Sequence, residues 1–264
     1  MPLSPTFSTA GLRAELPAVN TITTDDLRQA LHKGIDDFKA KPSHIIMLMV
    51  IYPIVGLFAG RIAAGYDMLP LIFPLMSGFA LVGPVAALGL YQISRRREEG
   101  RPYEWRDSLG IFAKPTIGAI ATLAVFLGII YFVWLASAMV IHWMTFGGLA
   151  PTSLAQFATD VFTTSAGWTL IIAGTAVGFV FAVIVLAVAA TSFPMLLERN
   201  VSATTAALTS VAVFRRNPKV MLTWGGIVAA GLILGSIPLF VGLAITMPVL
   251  GHATWHLYRA AVPR

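Results

Sequence analysis

The sequence predicts an all-α polytopic membrane protein: six transmembrane helices set out as three hairpins, each preceded by an amphipathic interfacial helix. Composition is the first observation behind this. Of 264 residues 57% are hydrophobic and 11% charged, and the mean hydropathy is +0.79, whereas about a quarter of residues are charged in ordinary soluble domains. The second is the stretch between Lys219 and Arg259, which holds no Lys, Arg, Asp or Glu. A single helix over Val220–Trp255 would run to more than about 50 Å against a hydrocarbon core of about 30 Å. Two spans folded back at Gly235-Ser236-Ile237-Pro238 fit better. The third is repetition: an amphipathic segment, a basic junction with proline and two apolar runs recur in units of about 23–100, 101–199 and 200–264.

Taken in order, residues 1–22 carry prolines and serines without a period and read as a disordered tail, followed by a single membrane domain over 23–264. Thr23-x-x-Asp26 matches a capping box and starts a helix. Leu27, Ala30, Leu31, Ile35 and Phe38 mark its apolar face, with Arg28, Lys33, Asp36, Asp37 and Lys39 assigned to the other. It ends at Lys39-Ala40-Lys41-Pro42, because proline disfavours helix in the residue before it. Spans one and two follow at about His44–Gly65 and Met68–Ser94, stopped by Arg95-Arg96-Arg97. Trp105, Leu109 and Phe112 give a second amphipathic segment before Lys114-Pro115, and span three runs from about Thr116 to Met144. A short outer helix is expected within Thr152–Phe162, capped by Thr152 or Ser153. Span four, about Trp168–Phe193, returns to Glu198-Arg199. Ala203, Ala207, Val211 and Phe214 lead into Arg216-Asn217-Pro218-Lys219 and the last two spans.

Charge fixes the expected topology. The net charge of +6 and pI near 9.9 come from residues at span ends, which is positive-inside patterning rather than a nucleic-acid-binding face. All of the 18 Lys and Arg except Arg61 fall in segments assigned to the cytoplasm, so six spans with both termini cytoplasmic are expected. The first 43 residues lack the apolar run of about 7–15 residues that a cleaved signal peptide needs. With no cysteine, disulfides, thiolate nucleophiles and cysteine metal sites are excluded.

Candidate residues are few. Arg61 is the one charge expected inside a span, with Asp67 as its nearest candidate partner; the plainer reading is an interfacial side chain that snorkels to headgroups. His252 and His256 share a helix face at the spacing of a metal pair, with His44 as a possible third member. Since no carboxylate accompanies them in sequence, interfacial histidines beside an aromatic belt of Trp255 and Tyr258 are expected. Gly56/Gly60, Gly174/Gly178 and Gly231/Gly235 permit close helix approach, within the bundle or to a partner. No carboxylate is placed at mid-membrane, and there is no P-loop, HExxH helix or GxSxG elbow. Glu98, Glu99, Glu104 and Asp107 alternate with arginines and read as a solvated, self-neutralising loop. No catalytic residue, cofactor or metal is therefore expected.

Val19-Asn20-Thr21-Ile22, Ser192-Phe193-Pro194-Met195-Leu196-Leu197 and the run from Pro248 to Arg259 resemble a proteobacterial family of integral membrane proteins of unknown function. Some members of that family carry the label of cytochrome c oxidase subunit. The resemblance implies a bacterial inner membrane and names no catalytic residues. The expected function is a non-catalytic accessory or assembly subunit of a larger respiratory, oxidase-like complex, contacting lipids and other membrane subunits. The alternative is a transporter or channel for a neutral or lipid-like substrate, and a redox role for His44 with His252 or His256 is third.

Overall fold

The computed structural model describes residues 16–40, 61, 74–75, 83–103, 110–111, 113–147, 153–238 and 241–264. Among these the regular elements are helices: α1 (Thr24–Ala40), α2 (Leu88–Glu98), α3 (Ile117–Phe146), α4 (Leu154–Thr163), α5 (Ser165–Ala189), α6 (Ser192–Glu198), α7 (Ala203–Arg216), α8 (Pro218–Ser236) and α9 (Leu243–Ala261).

The start of α1 is the reciprocal box that its sequence encodes. The Thr23 N–H donates to Asp26 Oδ2 at 2.8 Å, and the Asp26 N–H donates to Thr23 Oγ1 at 3.3 Å. The outer helix α4 uses Ser153, whose hydroxyl accepts from the Gln156 N–H at 3.1 Å. Ser202 and Thr164 begin α7 and α5 in the same way.

Three described helices are long and apolar enough to cross a bilayer: Ile117–Phe146, Ser165–Glu198 taken through the α5–α6 joint, and Pro218–Ser236. Their outward faces carry Phe126, Ile129 and Phe132 on α3, Ile172 and Phe179 on α5, and Ile233 and Leu234 on α8, all exposed. A contiguous apolar surface of this kind is unfavourable in water and ordinary in hydrocarbon. Exposed Trp143 and Trp168 stand at one end of α3 and α5. Lys114 and Lys219 stand at the opposite ends of α3 and α8, the pairing of aromatic and basic anchors that brackets a bilayer.

The expected count of six spans needs correction. The first two expected spans lie largely outside the described residues, and α9, expected as the sixth, is not among the three apolar helices. His252, Thr254, His256, Tyr258 and Arg259 interrupt its apolar run. Most of its side chains are buried or partly buried in protein: Trp255, Leu257, Tyr258 and His252 are each 0% exposed, and Ile245 is the exposed large apolar one. α9 runs antiparallel to α8, with Gly231 against Leu250 and Gly235 against Leu243 and Thr246. The layout as three membrane hairpins rests in part on residues outside the described ones.

Of the stretch 1–22 read as a tail, residues 16–22 are described. They form a strap: the Asn20 N–H donates to the Ala261 carbonyl at 2.8 Å. Asn217, at the α7–α8 corner and 4% exposed, binds the strap backbone in both directions. Its Oδ1 accepts from the Ile22 N–H at 2.8 Å, and its Nδ2 donates to the Asn20 carbonyl at 3.0 Å. Replacing Asn217 by alanine would orphan both groups, and we expect a loss of about 2 kcal/mol in thermal unfolding of the detergent-solubilised protein.

Candidate functional site

The polar groups of the described residues converge where α1, α2 and α9 meet. Leu27, Ala30, Gly34 and Asp37 form the buried stripe of α1, at the three- and four-residue spacing of one helix face. Gly34 lets this stripe approach α9 at backbone distance. A Cβ there would lie 2.7 Å from the Ala253 nitrogen and 2.8 Å from the Val249 carbonyl oxygen. One turn on, Asp37 reaches three side chains from two other helices. Its Oδ2 accepts from Ser94 Oγ at 2.5 Å and from His256 Nε2 at 2.8 Å, while Oδ1 pairs with Arg97 Nη1 at 3.0 Å.

Ser94 also contacts His252 Nδ1 at 2.8 Å. A hydroxyl has one proton, and here it goes to the carboxylate, so the network assigns the His252 proton to Nδ1 as donor to Ser94 Oγ. That leaves His252 Nε2 buried with no hydrogen-bond partner. Burial pushes the Asp37 carboxyl up, but the hydrogen bonds from His256 and Ser94 and the adjacent imidazoles outweigh it and hold the group below its ordinary value. Burial pushes His252 down to about 4, against the pull of Asp37 and with help from His256 and Arg97.

A second layer lies one turn along α9. Glu98 at the end of α2 accepts from Trp255 Nε1 at 3.1 Å and from Arg259 Nε at 3.2 Å. Glu198 at the end of α6 takes Arg259 Nη1 at 3.1 Å and the Tyr258 hydroxyl. Arg199 closes the layer on the Pro263 carbonyl. The Leu197 carbonyl at the C-terminal end of α6 receives Lys114 Nζ at 2.7 Å and Arg95 Nη1 at 3.1 Å, the cationic partners a helix C-terminus favours. Burial together with the charges of Arg95 and Arg96 lowers the Lys114 ammonium to about 8.

This arrangement holds helices together through hydrogen-bonded and charged side chains. Ser94 is 0% exposed and hands its proton to a carboxylate of lowered basicity, so it is no nucleophile. Among the described residues no group of three His, Cys, Asp or Glu is placed to hold a metal. What the geometry provides is a set of paired, hydrogen-bonded charges joining α1, α2, α6 and α9. Removing one member of such a set leaves its partners uncompensated.

The sequence-derived candidates fall out as follows. His252 and His256 do come together on Ser94 and Asp37, His252 fully buried and His256 partly exposed, and Trp255 and Tyr258 are core residues, not a lipid-facing belt. Sequence separation hid the carboxylate: Asp37 and His256 are 219 positions apart. Glu98 is a partner of α9 rather than part of a solvated loop. Gly178 packs on Trp134, with its Cβ position 3.0 Å from Cη2, while Gly174 faces open space. Arg61 is helical and exposed. Gly56, Gly60, Asp67 and His44 lie outside the described residues.

The three stretches that carry the family resemblance meet in this core. The strap lies on Asn217 and the end of α9; all but the last residue of α6 make up the second stretch, and α9 holds the third. Residues 72–198 match the model of a family described as predicted integral membrane protein (DUF2189). That match covers α2 to α6 and only the middle one of the three stretches. No curated protein and no solved structure matches the chain. The match and the three apolar helices together make this an integral membrane protein.

Proposed function

We propose that the protein is a non-catalytic integral membrane subunit, an accessory or assembly factor of a larger bacterial inner-membrane complex. A cytochrome c oxidase-like respiratory complex is the partner its sequence resemblance points to. The observation that carries this reading is how the polar groups are used. Asp37, Ser94, Glu98, Glu198 and Arg259 bind other helices of the same chain, and the outward faces of α3, α5 and α8 are apolar. On α5, Gly174 leaves open space beside it, where the backbone of a second subunit's helix can approach closely. A protein built this way offers packing surface rather than reactive groups.

Purification in mild detergent followed by mass spectrometry of co-eluting proteins tests the proposal. Gly174→Leu fills the open face, and we expect it to weaken association while the protein stays inserted and folded. The proposal fails if the protein is found alone in native membranes and moves a solute when reconstituted by itself.

We also propose that both termini are cytoplasmic. The bond from Asn20 to Ala261 supports placing the two ends on one side, and the arginines and lysines around them support the cytoplasmic one. A C-terminal reporter should read as cytoplasmic; a periplasmic reading would reject this topology.

A further inference from the structure

The unpartnered His252 Nε2 deserves an explanation, because it is the one atom of the Asp37 network with nowhere to place a second proton. The ring is fully buried, and Nδ1 already serves Ser94. A proton arriving at Nε2 would create an imidazolium at a nitrogen that has no hydrogen-bond partner, with the Leu90 carbonyl the backbone group that favours the charged ring. The least costly route to water is to separate one helix from the cluster. α1 is the element to move: it packs closely on α9 but on little else besides the strap ahead of it, whereas α9 is enclosed by α1, α2, α6 and α8.

We infer that Asp37, Ser94, His252 and His256 form an acid-sensitive latch, in which protonation of His252 releases α1 from α2 and α9. The charged groups facing the two imidazoles are Asp37 from α1 and Arg97 from α2. Despite burial, hydrogen bonds from His256 and Ser94 hold the Asp37 carboxyl below its ordinary value, and Arg97 pairs with its other oxygen. Glu98 of α2 and Glu198 of α6 are engaged by Trp255, Tyr258 and Arg259 instead. The titratable residue of α8, Lys219, is exposed. Among the described residues, then, no further carboxylate stands by to neutralise an imidazolium at position 252.

The sign follows from linkage. A released His252 has its ordinary value of 6.5 and a docked one about 4, so the docked state binds fewer protons. Docking is therefore fully favoured above 6.5 and weakens as pH falls toward 4, by about tenfold in the docked-to-released ratio per pH unit.

The chain has no cysteine, so spin labels are readily placed. Lys33→Cys with Leu208→Cys reports α1 against α7, and Thr175→Cys with Leu208→Cys reports the body alone. In full-length protein in nanodiscs, the first distance should be single at pH 7.5 and broaden reversibly toward longer values at pH 4.5, with the second unchanged. His252→Asn keeps a donor for Ser94 and removes the titration, and should keep α1 docked at pH 4.5. If that variant does not fold, Asp37→Asn is the second test and should raise the pH at which α1 leaves. The latch is overturned by an α1 distance that does not respond to pH, by His252→Asn responding as the parent does, by an unmoved midpoint in Asp37→Asn, or by the body pair broadening together with α1.

Discussion

Replacing Gly34 by alanine is expected to destabilise the protein by about 3 kcal/mol, against the usual direction of that substitution in a helix. In an open helix Gly→Ala gains about 0.5–1 kcal/mol, because glycine gives up more backbone freedom on folding. At Gly34 the added methyl would sit 2.7 Å from the Ala253 nitrogen and 2.8 Å from the Val249 carbonyl oxygen. These are backbone atoms of a buried helix and cannot rotate away, so α1 must lift or tilt. Overpacking of this kind typically costs 1–3 kcal/mol. The displacement also lengthens the Asp37 bonds to Ser94 and His256, which at 2.5 and 2.8 Å leave little slack. Gly226→Ala on α8, where nothing lies within 4 Å, is the matched control and should be neutral or slightly stabilising. Thermal unfolding of both variants in one detergent decides the matter. Equal midpoints would show that the α1–α9 contact is not close-packed.

Position 34 also marks the limit of what the sequence reveals. The cap of α1, the apolar runs of α3, α5 and α8, and the Ser153 start of α4 were legible, because each depends on residues within a few positions of one another. The face of α1 was legible only in part. Leu27, Ala30 and Leu31 show it, but reading Asp37 as polar and therefore outward overrode its place ten residues after Leu27, on the same stripe as Gly34. Its partners could not be read at all, since Ser94 lies 57 and His256 219 positions away. The same limit explains α9. Counting formal charges makes a stretch with no Lys, Arg, Asp or Glu look like a lipid-facing span. Yet His252, Trp255, His256 and Tyr258, which a count of Lys, Arg, Asp and Glu passes over, hydrogen-bond to residues supplied from α1, α2 and α6. Hydropathy identifies what can enter a bilayer; it does not identify which apolar helix is enclosed by the others.

The second large effect is expected at Arg259, which holds the carboxylates of two helices with one guanidinium. Nε meets both Glu98 oxygens at 3.2 Å, and Nη1 meets Glu198 Oε1 at 3.1 Å; the side chain is 13% exposed. Arg259→Met preserves much of the volume and removes the charge, leaving Glu98 with Trp255 and Arg264 and Glu198 with Tyr258 and Arg199. Two like charges would then be left without their shared counter-ion, Glu198 partly buried and Glu98 in contact with water. Breaking one side of a buried pair costs about 3–5 kcal/mol and of an exposed one about 0–1 kcal/mol; with Glu198 partly buried and Glu98 open to water, the expected loss lies between, at about 2 kcal/mol. Neutralising the orphans should restore most of it: Glu98→Gln with Glu198→Gln in the Arg259→Met background is expected to recover more than half. That recovery separates an electrostatic role from a packing one, because the triple variant has lost the arginine's contacts just as fully. Acid should act in the same sense. Burial raises the Glu98 carboxyl, but Arg259 and the Trp255 hydrogen bond outweigh it and hold its value below the ordinary 4.5. Its contribution is thus present above 4.5 and fades as pH falls through the lowered value. In Arg259→Met that low-pH loss should shrink, because the group that lowers the carboxyl is gone. A triple variant no more stable than Arg259→Met alone would assign the effect to packing and remove the charge layer from the account of how α2, α6 and α9 are held.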